Sequence, residues 1–160
     1  MPSKAIFIDR DGVINIKPND HDYVKTWEDF VFVPGIEEYL RKFTSDGYII
    51  IVVTNQRGIA RKLISQSVFE EITQKMNNYL ISKNIHLSAV YYCPHEEGGG
   101  CSCRKPKPGL ILQAAKDFLV DLNRSVIVGD SPQDVMAGKQ ANVGLQILLR
   151  SNSQKQVQSK

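Results

Sequence analysis

Five apolar runs rich in β-branched residues punctuate the chain, at residues 4–9, 48–54, 89–93, 125–129 and 144–149. Most are almost continuously apolar, as expected of parallel strands covered on both faces. Between them the period lengthens to that of helices. Over residues 35–45, Ile36, Tyr39, Leu40 and Phe43 fall at i, i+3, i+4 and i+7 behind Pro34. Over residues 65–83, Val68, Phe69, Ile72, Met76, Tyr79 and Leu80 line one face, and Ser65 is placed to cap it. Residues 108–119 and 132–140 complete the set, each with Pro at its first turn.

Strands alternating with helices predict an α/β fold: a Rossmann-like, mostly parallel five-stranded sheet with helices on both faces, forming one domain over residues 1–150. Residues 12–33 break the rhythm. They are polar, carry Pro18 and His21, and end in the alternating Phe30-Val31-Phe32-Val33, which reads as a short flap or hairpin after strand one. Residues 151–160 are rich in Ser, Gln, Asn and Lys and read as a disordered tail.

Composition narrows the class. The net charge of +3 drops to +1 once the two lysines of the last ten residues are taken away, which is no nucleic-acid footprint. No apolar run reaches the length of a membrane span, and the N-terminus lacks a signal-peptide core. The expectation is a cytoplasmic monomer that binds neither membrane nor nucleic acid.

The polar residues with chemical potential cluster at the carboxyl ends of the predicted strands, where open α/β sheets bind ligands. Strand one runs into Asp9-Arg10-Asp11-Gly12. Two acids this close repel unless a cation lies between them, and a carboxylate so placed can also serve as a nucleophile. Strand two ends at Thr54-Asn55-Gln56-Arg57-Gly58, strand four at Gly129-Asp130-Ser131 with Asp134 beyond, and a loop after strand three carries Arg104-Lys105-Pro106. Asp9, Asp11 and Asp130 can hold a hard cation such as Mg²⁺. Thr54 and nearby backbone N–H groups can cradle a phosphoryl group, and Lys105 can neutralise the charge that spreads over its oxygens.

All three cysteines lie within residues 93–103. Cys93, His95, Cys101 and Cys103 give a Cys-x-His…Cys-x-Cys set, which matches a closed tetrahedral zinc site with no position for a reacting water. The glycines at 98–100 let its halves meet. Such a site staples a loop and aims Arg104 and Lys105 at the crevice. The remaining histidine, His86, follows a helix and reads as its cap or as a solvent-facing residue.

Asp9-x-Asp11-Gly12, Thr54, Lys105 and Gly129-Asp130-x-x-x-Asp134 resemble, in order, the four motifs of the haloacid dehalogenase superfamily of phosphatases. That resemblance implies Asp9 as nucleophile, Asp11 as acid and base, and Thr54 and Lys105 as phosphoryl binders. It implies Mg²⁺ on Asp9, the Asp11 carbonyl and Asp130, with Asp134 in or behind the metal shell. The zinc loop resembles the histidinol-phosphatase-like branch, which has no large cap domain. Residues 9–15, 54–61 and 103–109 resemble its heptose 1,7-bisphosphate phosphatases. That likeness implies hydrolysis of the C7 phosphate of a small phosphorylated sugar. Asn15, Asn55, Arg57, Arg61 and Arg104 become substrate-binding candidates, because a guanidinium fork matches phosphate oxygens. The sequence departs from the heptose pattern at Lys62, where Gly is usual, and in having a polar tail where further elements often follow. Three alternatives stay open: a histidinol-phosphate phosphatase, a polynucleotide 3′-phosphatase and a non-catalytic zinc-stabilised binding module.

Overall fold

The computed structural model describes residues 2–19 and 22–149. Five strands among them form one parallel sheet in the order β3-β2-β1-β4-β5. They are β1 Lys4–Ile8, β2 Tyr48–Asn55, β3 Leu87–Cys93, β4 Val126–Gly129 and β5 Leu145–Leu148. Every registered pair is parallel; β1 sits at the centre, with Ile8 opposite Val52 on one side and Val128 on the other. The α/β expectation therefore holds, with strand ends within about two residues of those read from the apolar runs.

The helices divide between the two faces. Helix α1 (Ile36–Ser45) and helix α3 (Gln66–Ser82) cover one face, where Leu40, Phe69, Ile72 and Met76 pack on Ile6, Ile8, Ile50 and Val52. Helix α4 (Gly109–Phe118) and helix α5 (Pro132–Gln140) cover the other, with Ile111, Ala114 and Ala137 against Phe7, Ile51, Val53 and Ile127. Alternate residues of β1 thus enter different cores, which is why the strand reads as unbroken apolar sequence. Ser65 caps α3 by accepting the Val68 N–H at 3.1 Å. The four-residue helix α2 (Arg57–Ala60), directly after β2, is too short to leave a periodic signature.

The segment between β1 and α1 folds back on itself. The Ile16 N–H donates to Val31 O at 2.7 Å and the Val33 N–H to Ile14 O at 2.8 Å, around an antiparallel bridge of Asn15 to Phe32. Its aromatic end packs on α3, with the Phe32 ring stacked on Tyr79 at 4.5 Å. The expected flap is present as this narrow ladder and a short 3₁₀ turn, Trp27–Asp29. His86 is exposed, as read. His21 and the tail at 151–160 fall outside the described residues.

Candidate active site

The carboxyl ends of β1, β2 and β4 and the loop after β3 enclose a crevice of about 490 Å³, lined by Asp9, Asp11, Thr54, Asn55, Arg57, Arg104, Lys105, Asp130 and Asp134 among others. The switch in strand order at β1 opens this space, because the chain leaves β1 towards β2 and later returns to its other side as β4.

Lys105 is the electrostatic centre. Its side chain is 3% exposed; its ammonium lies 2.6 Å from Asp134 Oδ1 and 3.3 Å from Asp9 Oδ1 and donates to Val53 O at 2.8 Å. Burial pulls its pKa down, but Asp9 and Asp134 outweigh that and the net direction is up. Asn55 fixes the lysine's backbone: its side-chain oxygen accepts the Lys105 N–H at 3.0 Å and its amide donates to Lys105 O at 3.2 Å. Lys105→Met is expected to cost about 3–5 kcal/mol of stability in urea unfolding, since it strands two carboxylates beside an apolar side chain. A loss below roughly 1 kcal/mol would contradict this account of the buried charges.

Asp9, Asp130 and Asp134 each present a carboxylate oxygen within 4.8 Å of the others. Asp9 is pushed up to about 7, chiefly by burial and further by Asp134, Asp130 and Asp11, with Lys105 opposing. Asp130 is also raised by burial, with Lys17 opposing; the Lys17 ammonium lies 3.5 Å from its Oδ2. Asp130 Oδ1 is buried without a hydrogen-bond partner. An all-oxygen set with an unused buried acceptor fits a hard divalent cation. Two glycines make the approach possible. A Cβ at Gly12, whose φ is +96°, would lie 2.1 Å from Asp130 Oδ2, and one at Gly129 would lie 2.1 Å from Asp134 Oδ2. Asp134 also caps α5, its Oδ2 accepting the Ser131 N–H at 3.2 Å and hydroxyl at 3.1 Å.

Asp11 is held differently. Asn15 Nδ2 donates to its Oδ1 at 3.0 Å, and Gln56 Nε2 to its Oδ2 and to Thr54 Oγ1, both at 3.1 Å. Arg10 adds Nε to Oδ1 at 3.0 Å and Nη2 to Oδ2 at 3.2 Å. Arg10 and Gln56 are site residues that motif reasoning passed over. Both are buried, which a polar residue beside a carboxylate motif does not reveal by itself. Lys17 was also missed, because nothing in a polar flap marks one lysine as facing the metal acids.

The substrate-binding candidates separate. Arg57 lines the crevice, its Nε donating to Tyr23 OH at 3.1 Å. Arg104 also lines it and has one buried guanidinium nitrogen, Nη1, without a hydrogen-bond partner. Asn55 lines it while holding Lys105. Two candidates are engaged elsewhere. Asn15 is fully buried and supports Asp11 from beneath, its side chain already engaged. Arg61 lies outside the crevice wall, forked onto Glu96 at 2.6 and 2.9 Å. That pairing draws Glu96 down to about 2.

The loop after β3 gathers Cys93, His95, Cys101 and Cys103, whose ligand atoms lie within 4.8 Å of one another. His95 Nδ1 is 3.3 Å from Cys93 Sγ and 3.2 Å from Cys103 Sγ, and Cys93 Sγ is 3.7 Å from Cys101 Sγ. Two sulfurs at about 2.3 Å from one tetrahedral zinc stand roughly 3.7 Å apart; Cys93 and Cys101 meet this, while Cys93 and Cys103 lie closer, at 2.8 Å, and the donor set of three thiolates and one imidazole suits that ion. Residues Glu96–Gly100 of this loop form one wall of the crevice.

The model of the polynucleotide kinase 3 phosphatase family matches residues 4–157. A D-glycero-beta-D-manno-heptose-1,7-bisphosphate 7-phosphatase of Pasteurella multocida is 44% identical over 154 residues, covering 92% of this chain and 82% of the relative. The enzyme of that name from Escherichia coli is 41% identical over 155 residues, covering 92% and 79%. The crystal structure of a D,D-heptose 1,7-bisphosphate phosphatase from B. bronchiseptica, complexed with magnesium and phosphate, is similar with a TM-score of 0.85 at 32% identity, covering 98% of this chain and 87% of that one. With this crevice, these motifs and these relatives, the chain belongs to the haloacid dehalogenase superfamily of phosphatases, in the family that the polynucleotide kinase 3 phosphatase model describes.

Proposed function

We propose that the chain hydrolyses the C7 phosphate of D-glycero-β-D-manno-heptose 1,7-bisphosphate with Mg²⁺. The observation that carries the reading is the cluster of Asp9, Asp130 and Asp134 around Lys105 at the crevice floor, in a chain 41–44% identical to enzymes of that name. Mg²⁺, held by Asp9, Asp130 and the Asp11 carbonyl with Asp134 behind, offsets the negative charge of the phosphoryl oxygens. A carboxylate oxygen of Asp9 attacks phosphorus and the bond from phosphorus to the C7 oxygen breaks. Asp11 gives its proton to that leaving oxygen. Water then attacks the aspartyl-phosphate, Asp11 takes the water's proton back, and inorganic phosphate leaves. Thr54 and Lys105 hold the phosphoryl group. The 1-phosphate falls to Arg57 and Arg104, and Arg104 brings the unpartnered nitrogen.

Cys93, His95, Cys101 and Cys103 hold a structural zinc in this reading, supported by their convergence. Three cysteines without a disulfide suit a reducing compartment, and the proposed site is the cytoplasm. No helix among the described residues is long and apolar enough to cross a membrane.

The test compares Mg²⁺-dependent kcat/KM for both anomers of heptose 1,7-bisphosphate, histidinol phosphate and a 3′-phosphorylated oligonucleotide. The expected result is a preference of roughly a hundredfold or more for the β anomer, about 2.7 kcal/mol of transition-state discrimination. A preference for histidinol phosphate or the oligonucleotide would replace the substrate while keeping the chemistry.

A further inference from the structure

Arg10 is the largest fully buried side chain among the described residues, 1% exposed, and stands between the two acids of the first motif. Its guanidinium carbon lies over the Phe30 ring at 5.6 Å and the Phe69 ring at 5.3 Å. One edge of the fork faces Asp11, with Nε and Nη2 donating to different oxygens at 3.0 and 3.2 Å. Nη1 has no hydrogen-bond partner. The Arg10 carbonyl accepts the N–H groups of Val13, Ile14 and Asn15 at 3.2, 2.8 and 3.2 Å, so the backbone that carries the guanidinium is itself anchored.

We propose that Arg10 is a positioning residue for proton transfer by Asp11, clamped between an aromatic ring of the flap and one of α3. This rests on the phosphatase reading above. A buried ion pair gives little net stability and is often replaceable by apolar side chains, so a purely structural purpose accounts poorly for a guanidinium kept here with one nitrogen unpaired. The chemistry gives it a purpose. As Asp11 hands its proton to the leaving oxygen, negative charge develops on its carboxylate. The Arg10 fork already faces both oxygens, so its attraction grows along the reaction coordinate and lowers the barrier without tightening substrate binding. In the second half-reaction the same fork keeps the carboxylate aimed as the acceptor of the water's proton. Asn15 and Gln56 supply the other two donors, so the four contacts are those of the ionised carboxylate, the form Asp11 reaches once its proton has left. The two rings provide faces that hold the cation and shut out the water that would otherwise compete for it.

Leaving groups separate this role from packing. A sugar alkoxide must be protonated as it departs, whereas p-nitrophenolate leaves without help. Arg10→Met in the full chain, with Mg²⁺, is expected to lose roughly a hundredfold or more in kcat/KM on the heptose bisphosphate and less than about fivefold on p-nitrophenyl phosphate, with KM for the sugar little changed. Asp11→Asn serves as the reference and is expected to show the same pattern. If Asp11→Asn shows it and Arg10→Met loses both activities equally, or neither, Arg10 is a packing residue and the inference is wrong. If Asp11→Asn loses both equally, or neither, the acid role of Asp11 fails and takes the inference with it. Phe69→Leu leaves Arg10 in place but removes one face of its clamp. It is expected to give the same selective loss at smaller size, and it decides the question should Arg10→Met not fold; an equal loss on both substrates would again overturn the proposal.

Discussion

Asp9→Asn is expected to lower phosphate release by roughly 10⁴-fold or more while leaving the thermal midpoint within a few degrees of the parent. The amide keeps the shape of the carboxylate but is a very poor nucleophile and a weaker ligand for a hard cation. Stability survives because Lys105 keeps Asp134 at 2.6 Å and Val53 O at 2.8 Å, so no buried charge is stranded. The substitution also takes one negative charge from a pocket where burial and three neighbouring acids already work against Asp9's ionisation. The decisive measurement pairs steady-state phosphate release with rapid-quench detection of phosphate bound to protein. The parent should accumulate a hydroxylamine-sensitive acyl-phosphate and the variant none. Turnover within about tenfold of the parent would remove Asp9 from the nucleophile's role.

Stripping metal from the Cys93–His95–Cys101–Cys103 set has the second large expected effect. Dialysis against a strong chelator, followed by restored Mg²⁺, should remove close to one zinc per chain, lower the thermal midpoint by on the order of 10 °C and abolish selection among phosphorylated sugars. The loop between Cys93 and Cys103 buries almost nothing; its glycines and glutamates are exposed or half-buried. Two ion pairs at the surface tie it to α2 and the residue after it, Arg57 to Glu97 at 3.5 Å and Arg61 to Glu96, and pairs of this kind contribute little. The metal would be the main tie, and with it goes the placement of Arg104. Cys101→Ser should reproduce the loss without any chelator. A chelated protein with unchanged midpoint and activity would show the four residues to be free thiols and an ordinary histidine.

The inner strands β1, β2 and β4 could be read because they are covered on both sides and therefore almost uniformly apolar, while the edge strand β5 carries the same apolar composition although it is half-exposed. β4 and β5 were delimited to within a residue or so. The acids of the site were legible for a related reason: a carboxylate directly after such a strand has no structural excuse. The environment of those acids was not. Arg10 sits between Asp9 and Asp11 in a stretch that sequence treats as surface, yet its burial depends on Phe30 and Phe69, twenty and fifty-nine positions away. Gln56 reaches Asp11 from another strand end, across forty-five positions. Arg61 illustrates the converse. As a cation in a motif it resembled a phosphate ligand, but only the fold brings Glu96 to it. Side chains whose role is set by a distant partner carry no local mark.

The central place of β1 has a consequence for the order in which the protein is made. The ribosome delivers Asp9 and Asp11 first, and the strands that can join early, β2 and β3, all lie on one side of β1. Asp130 and Asp134 arrive with β4 and α5 on the other side. At about 5–20 residues per second this is a wait of roughly 6–24 s. On the proposed reading, during that interval the nascent chain has the proposed nucleophile, Asp9, but lacks the other two acids of the cluster, Asp130 and Asp134. On that reading competence waits for the docking of β4 and α5, which bring the last carboxylates.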